Sequence, residues 1–205
     1  MIVSVRKIRR TLPKCALTML MAATTLFAAP AAFALEVAGQ VIPDKIKLGN
    51  ADLVLNGAGI RTRAIFKVYV GALYLPEKKI SAADALAAKG AKRVALHLLR
   101  DLTAEQTGGA LDNMAGNLSE AEREAFKGRI ADLKAAMEAV GAAKEKNIIT
   151  LDFTPGTGLR IALDGAQKGK TIEGENFYRA LLKIWLGDKP VDGALKTGML
   201  GAAPN

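Results

Sequence analysis

The chain has 205 residues, half of them hydrophobic, and carries 29 Lys and Arg against 20 Asp and Glu, a formal net charge of +9. Its single cysteine excludes a disulfide-stabilised domain, and one histidine with no second His or Cys beside it excludes the usual zinc site. We therefore expect neither a metal nor another cofactor.

The N-terminus has the pattern of a secretory signal peptide. Basic residues precede the apolar run "CALTMLMAATTLFAAPAA", which is short for a membrane span, and "AFA" then offers a cleavage site before Leu35. Residues 1–34 are predicted to be a signal peptide and residues 35–205 a single domain, periplasmic or secreted, without a stable membrane span after cleavage. Without the five cations of the signal, 24 basic residues face 20 acidic ones, which is no footprint for nucleic acid.

Strand patterns dominate the first part of the mature chain. "EVAGQVIP", "KIKLGN" and "DLVLNGAGI" are short strand-like pieces separated by turn residues, and the segment after them continues as one long strand that ends at Pro76. "KRVALHLLR" at 92–100 alternates as a strand, and "NIITLDFTPGTGLRIALDG" at 147–165 predicts a hairpin.

Helical patterns lie between and after these strands. Ser81 and Ser119 are predicted N-caps, and the apolar positions after Ser119 form one stripe of a long helix. "KGKTIEGENFYRALLKIWLG" is expected to run from a turn into a helix that ends at Gly187, and "VDGALKTGML" predicts a last short helix. The class is α+β, with a mainly antiparallel sheet and helices over one face.

The segment "NGAGIRTRAIFKVYVGALYLP" carries the candidate binding chemistry. On one strand Arg61, Arg63, Lys67 and Tyr69 share a face. If helices cover that face, an arginine beside a tyrosine hydroxyl and apolar surface can hold a carboxylate or phenolate; if they cover the other, Arg61 is solvated. His97 lies opposite the apolar face of its strand, and a structural role is expected for it.

Three segments, "LNGAGIRTRAIFKVYVGALYLP", "IEGENFYRALLKIWLG" and "LKTGMLG", resemble the chalcone isomerase-like family in its bacterial exported branch, in order over roughly residues 38–200. The resemblance implies an open-faced β-sandwich, in which a curved antiparallel sheet is covered on one face by a helical layer, with a ligand cleft between them. Plant members close a chalcone into a flavanone with the help of a cleft arginine. Other members carry out no reaction and bind fatty acids through an arginine and a tyrosine.

The resemblance also assigns site residues. Arg61 matches the family's arginine, Tyr69 stands where the enzymes have threonine and the fatty-acid binders tyrosine, and Tyr178 falls near another hydroxyl-bearing cleft position. For the enzymes' tyrosine and asparagine from the middle of the chain no counterpart can be placed: this part of the sequence contains Asn113 and Asn117 but no tyrosine. On one straight strand Arg61 and Tyr69 would stand about 26 Å apart, so sharing a headgroup requires a sharp bend or bulge.

The leading hypothesis is thus an exported, non-catalytic chalcone isomerase-like protein that binds a small amphipathic or carboxylate ligand, such as a fatty acid, through Arg61, Tyr69 and Tyr178. One alternative is an intramolecular lyase or isomerase acting on an enone, in which Arg61 stabilises an oxyanion. Another is an accessory domain that binds a protein partner, for which the sign would be a large apolar surface patch. The oligomeric state stays open.

Overall fold

The computed structural model describes residues 34–109, 114 and 116–202. The predicted signal peptide, apart from Ala34, and Asn113 lie outside these residues. The strands of the described part are, in chain order, Ala34–Val37 (β1), Gln40–Pro43 (β2), Lys45–Leu48 (β3), Ala51–Arg63 (β4), Phe66–Leu75 (β5), Lys92–Leu98 (β6), Ile148–Thr154 (β7), Gly158–Leu163 (β8) and Ala166–Ile172 (β9). The helices are Ala82–Ala87 (α1), Ala104–Gly108 (α2), Glu120–Val140 (α3), Glu175–Leu186 (α4) and Gly193–Met199 (α5).

Strands β3 to β9 form one curled antiparallel sheet in which each strand pairs with the next along the chain. The helices cover its inner face, with α5 against β4 and β5 and α3 against β8 and β9. The inner side chains of the central strands, such as Leu73, Leu96 and Leu151, join one apolar core with the helices. This confirms the predicted α+β class and its helix-covered antiparallel sheet. No helix of the described residues combines the length and hydropathy needed to cross a bilayer.

The outer face of the sheet has a smaller core of its own. The β1–β2 hairpin contributes the buried Val37 and Ile42, which join a cluster with Val70 and Tyr74 of β5. The Tyr74 hydroxyl donates a hydrogen bond to the Pro43 carbonyl at 3.0 Å. The β1–β2 hairpin therefore caps the sheet on the side away from the long helices.

The predicted helix caps are present. Ser119 Oγ accepts a hydrogen bond from the Glu122 backbone N–H, and the Glu122 carboxylate accepts one from the Ser119 N–H at 2.8 Å. Ser81 Oγ likewise accepts from the Asp84 N–H. These bonds satisfy N–H groups that an isolated helix start leaves free, so they fix where α1 and α3 begin.

The prediction of one long strand ending at Pro76 was wrong: the segment is a hairpin. β4 ends at Arg63, Ala64 adopts a positive φ of 54°, and β5 returns from Phe66. The turn sequence "RAIF" contains no Gly, Asn, Asp or Pro, so composition gave no sign of it. "KGKTI" was also expected as a turn and is instead part of β9, entered through the Asp164–Gly165 turn, where both residues have positive φ.

Glycines in β4 allow α5 to approach the sheet at backbone distance. A Cβ on Gly57 would collide with the Gly198 carbonyl oxygen, and a Cβ on Gly198 would lie 2.6 Å from the Ala58 oxygen. The Asn56 side chain sits at a bulge between Leu55 and Gly57 and donates to the Met199 carbonyl at 2.7 Å. α5 is therefore held directly on the strand that carries Arg61.

Candidate functional site

A cavity of about 380 Å³ lies between the inner sheet face and helices α2 and α3. Its apolar walls come from the sheet, from the segment before α2 and from α3, and consist of Val68, Leu96, Leu98, Leu102, Met137 and Ile149. Its polar lining consists of Arg61, Arg63, Tyr69, Arg100, Gln106 and Thr107. Ala64 and Phe66 complete the lining from the exposed hairpin turn, so the cavity opens beside that turn.

The hairpin brings Arg61 and Tyr69 together. The two residues are direct cross-strand partners on β4 and β5, and the Arg61 guanidinium carbon lies 5.7 Å from the centre of the Tyr69 ring. The separation expected for one straight strand does not arise, because the turn at Ala64 folds the second half of the segment back. A register shift beside this pair leaves Val68 unpaired, and both Val68 and Tyr69 join the helix-covered core.

Tyr69 is buried as a neutral phenol. Its hydroxyl oxygen accepts a hydrogen bond of 3.0 Å from Trp185 Nε1 on α4. Burial raises the pKa of Tyr69 to about 12, against the lowering effects of Arg61 and of the Trp185 hydrogen bond. The hydroxyl hydrogen has no acceptor in the described part of the chain, so it can be donated to a ligand oxygen.

Arg61 is the site's uncompensated group. Its Nε is buried and has no hydrogen-bond partner among the described residues. The nearby Asp192 carboxylate accepts instead from the Thr62 and Leu195 backbone N–H groups, at 2.9 and 3.1 Å. A buried donor without a partner is costly, and a carboxylate or another anion in the cavity is the chemical complement of this guanidinium.

Two further arginines extend the positive lining. Arg63 and Arg100 also form no ion pair within the described residues, and the Arg100 guanidinium carbon lies 4.8 Å from the centre of the Phe66 ring. The acidic residue next to Arg100, Asp101, is paired with Lys144 at 2.9 Å. The cavity thus combines apolar walls with a cationic end that lacks a described carboxylate partner.

Tyr178, the third predicted ligand-binding residue, does not line this cavity. It is fully buried on α4, where its hydroxyl donates to the Leu151 carbonyl at 3.0 Å and its ring stacks on Phe153 at 5.2 Å. Burial raises its pKa well above the usual value for tyrosine. Asn117 also lies outside the cavity lining, and its side chain bonds the Lys189 backbone through both the N–H and the carbonyl.

Sequence reasoning missed Arg100, Gln106 and Trp185 as members of this site. Arg100 could have been found, because it continues the alternation of Leu96 and Leu98, which face the helices. Gln106 lies on α2 and closes a capping box with Thr103, a local role that does not indicate its place in the cavity lining. Trp185 reaches Tyr69 across 116 positions of sequence, a contact that no local pattern signals.

His97 lies on the outer sheet face, away from the cavity. It is buried between Val70 and Ile148, its two cross-strand partners, and burial lowers its pKa. In the part of the chain that the structure describes, no three His, Cys, Asp or Glu side chains are grouped to hold a metal ion.

Comparison with known proteins identifies the family. A family model described as Chalcone isomerase-like matches residues 34–201, which is most of the chain. The chain belongs to this family. A solved structure of the Arabidopsis thaliana fatty-acid binding protein aligns with a TM-score of 0.67 at 16% identity, covering 82% of this chain and 96% of that one. The chalcone isomerase-like fold is therefore shared with that protein, while the search of curated proteins returned no match.

Proposed function

We propose that this chalcone isomerase-like protein is an exported, non-catalytic binding protein for a small amphipathic carboxylate such as a fatty acid. The carboxylate accepts hydrogen bonds from the Arg61 guanidinium and from the Tyr69 hydroxyl. The alkyl chain lies along the apolar walls formed by β6, β7 and α3. The observation that carries the proposal is the buried, unpartnered Arg61 Nε directly opposite Tyr69 in one cavity.

The chemistry of the pair suits a carboxylate ligand. A tyrosine is a neutral hydrogen-bond donor at pH 7 even at its ordinary pKa of 10.0, and burial raises the pKa of Tyr69 further, to about 12, so this side chain carries no negative charge that would compete with the ligand for the arginine. The Trp185 hydrogen bond occupies the acceptor side of the hydroxyl and leaves its hydrogen for the ligand. A cavity of about 380 Å³ is within the size range of small-molecule sites, roughly 300–1,000 Å³.

The structural comparison supports small-ligand binding in general, without identifying the ligand. The Arabidopsis protein that shares this fold is titled a fatty-acid binding protein, and the combination of Arg61 and Tyr69 follows the pattern that the resemblance implies for fatty-acid binders. Tyr178 has a different place in the proposal. Its hydroxyl is bonded to the Leu151 backbone, so it supports the sheet behind the site and does not contact the ligand.

The isomerase alternative has less support. It requires groups that polarise the substrate ketone, and the described lining supplies Arg61 and Tyr69 but no second tyrosine. Asn117, one of the two asparagines in the middle of the sequence, bonds Lys189 away from the cavity. A test of chalcone turnover by absorbance nevertheless belongs in the same experiment, since turnover would contradict the proposal.

Export is part of the proposal and rests on the pattern of residues 1–34. Cleavage before Leu35 leaves the β1–β2 hairpin almost whole, because only Ala34 of β1 belongs to the predicted signal. Intact-mass analysis of the protein from fractionated cells checks this point. An N-terminus at Leu35 in the periplasm or medium is the expected result, and an unprocessed cytoplasmic chain would contradict it.

The binding experiment uses delipidated protein and a dansyl-labelled undecanoic acid, displaced by dodecanoic acid or by dodecanol. We expect the acid to displace the probe far better than the alcohol, which has the same chain without the charge. Arg61→Met should remove this preference, whereas Arg179→Met, at an exposed position of α4, should keep it. Equal competition by acid and alcohol in the wild type would show that no charged headgroup is recognised.

A further inference from the structure

The tip of the β4–β5 hairpin exposes two adjacent large apolar side chains. Ile65 is 85% exposed and Phe66 is 54% exposed. Exposed large apolar residues on the described surface are otherwise Val41 and Ile80, at 66% and 86%, which lie on other segments. Single exposed apolar residues are ordinary, whereas a neighbouring pair at the end of a hairpin presents a compact apolar surface to the solvent.

Cations surround this apolar tip. Arg63 and Lys67 flank the turn in sequence and are both exposed, and the Arg100 guanidinium lies against the Phe66 ring. No acidic residue occurs between Asp52 and Glu77. The tip therefore combines exposed apolar side chains with three basic side chains on one end of the molecule.

Carboxylates on the neighbouring elements are bonded to groups other than these three cations. Asp192 is engaged by the backbone N–H groups of Thr62 and Leu195. Asp101 pairs with Lys144, and Glu105 belongs to the first turn of α2. None of these acids forms an ion pair with Arg63, Lys67 or Arg100 in the described structure.

We propose that the β4–β5 hairpin tip docks on the surface of an anionic lipid bilayer. Ile65 and Phe66 enter the boundary between headgroups and acyl chains, and Arg63, Lys67 and Arg100 contact the lipid phosphates. A nucleic acid would match the cations but leaves the apolar pair without a function. An apolar protein groove would match the pair but leaves the cations without partners, so an anionic bilayer fits both features.

The position of the tip adds a geometric argument. Arg63, Ala64 and Phe66 belong both to the tip and to the lining of the cavity. A docked tip therefore places the open side of the cavity against the membrane surface, from which an amphipathic molecule can enter without crossing water. The docking itself does not depend on the proposed ligand, and it is measured separately.

The test is co-sedimentation with vesicles of equimolar phosphatidylglycerol and phosphatidylcholine, compared with phosphatidylcholine alone. All variants share the wild-type background, so any contribution of the N-terminal segment is constant. We expect Ile65→Ser to weaken binding to anionic vesicles about tenfold, from lost apolar burial, and Lys67→Gln about fivefold, from lost charge. Added salt should weaken the binding of the wild type.

Matched controls are available on the same molecule. Ile80→Ser removes an isoleucine that is equally exposed but follows Lys79, which is paired with Glu77. Lys134→Gln removes an exposed cation from α3. Both controls should bind vesicles as the wild type does, and thermal unfolding should show that all four variants are folded.

Three results would overturn the proposal. They are equal binding to neutral and anionic vesicles, unchanged binding by the Ile65 and Lys67 variants, or vesicle-independent self-association that Ile65→Ser abolishes. Failure of docking is distinguishable from failure of the proposed function. The dansyl-probe assay contains no vesicles, and Ile65 does not line the cavity, so Ile65→Ser should retain the probe affinity of the wild type.

Discussion

Replacing Arg61 by methionine should have opposite effects on binding and on stability. Methionine keeps an unbranched apolar stem but removes the guanidinium. In the ligand-free protein the buried Arg61 Nε has no described partner, and such a group costs about 1–3 kcal/mol. The cation–π contact with Tyr69 returns about 0.5–1 kcal/mol at a partly exposed site. The substitution should therefore leave the free energy of unfolding unchanged or raise it by up to about 2.5 kcal/mol.

The same substitution should weaken ligand binding strongly. A hydrogen bond to a charged partner contributes about 1.5–3 kcal/mol, which corresponds to roughly a 10- to 150-fold rise in Kd for a carboxylate probe. Chemical denaturation of delipidated protein measures the first effect, and titration with dansyl-labelled undecanoic acid measures the second. A gain or no change in stability together with a loss of affinity is the combination that a ligand-binding arginine predicts.

Arg93→Met is the matched comparison on the outer face of the sheet. Arg93 forms a bidentate ion pair with the buried Asp152, and a second arginine, Arg160, lies 3.4 Å from that carboxylate. Removing one partner of a buried pair costs about 3–5 kcal/mol, and Arg160 should keep the loss near the lower end. If Arg61→Met destabilised the protein as much as Arg93→Met, or left the Kd unchanged, the assignment of Arg61 to a ligand site would be refuted.

Three other substitutions test the site and its support. Tyr69→Phe should lower the free energy of unfolding by about 1–3 kcal/mol, because the buried Trp185 N–H loses its acceptor, and Trp185 fluorescence should report the change. In the wild type the pKa of Tyr69 lies near 12, above its unfolded value of 10.0, so the contribution of Tyr69 to stability is complete below pH 10. Between pH 10 and 12 this contribution falls by about 1.4 kcal/mol per pH unit, because the unfolded chain loses the proton first. Tyr69→Phe should therefore reduce the loss of stability with rising pH, which chemical denaturation at several pH values measures. Gly57→Ala should destabilise the protein by about 1–3 kcal/mol or more, because the added Cβ would collide with Gly198. Gly128→Ala on α3, where the space around the Cβ is open, should instead stabilise the protein by about 0.5–1 kcal/mol. A small effect of Gly57→Ala on the free energy of unfolding would contradict the close packing of α5.

The fold class was predictable from sequence because it depends on periodicity and on helix starts. The predicted N-cap Ser119 and the apolar stripe of α3 locate that helix to within a residue of its observed start. Alternation in β6 correctly separated the helix-covered side chains from the outer ones. Such local patterns extend over a few residues, so they can be recognised in the sequence without any knowledge of the tertiary structure.

The β4–β5 hairpin was not predictable in this way. Ala64 adopts its positive φ although its neighbours are an arginine and an isoleucine, so tertiary pairing of β4 with β5 overrides the local preference. The error had a direct consequence for the site. The prediction placed Arg61 and Tyr69 far apart on one strand, whereas the observed register makes them neighbours on the adjacent strands β4 and β5.

The prediction of one long strand also gave no reason for an arginine to lie on the helix-covered face of the sheet. An uncompensated guanidinium lowers the stability of the ligand-free domain, and the described structure contains no carboxylate that pairs with it. Three features around it are nevertheless well supported: the Tyr69–Trp185 hydrogen bond, the backbone approach of α5, and the Asp192 bonds to Thr62 and Leu195. A buried Arg61 Nε without a partner, beside neighbours that are well bonded, is the arrangement expected when the missing partner is a ligand. Binding then supplies the hydrogen bonds that folding leaves unmade, so an added carboxylate should raise the unfolding temperature of the wild type and leave that of Arg61→Met unchanged.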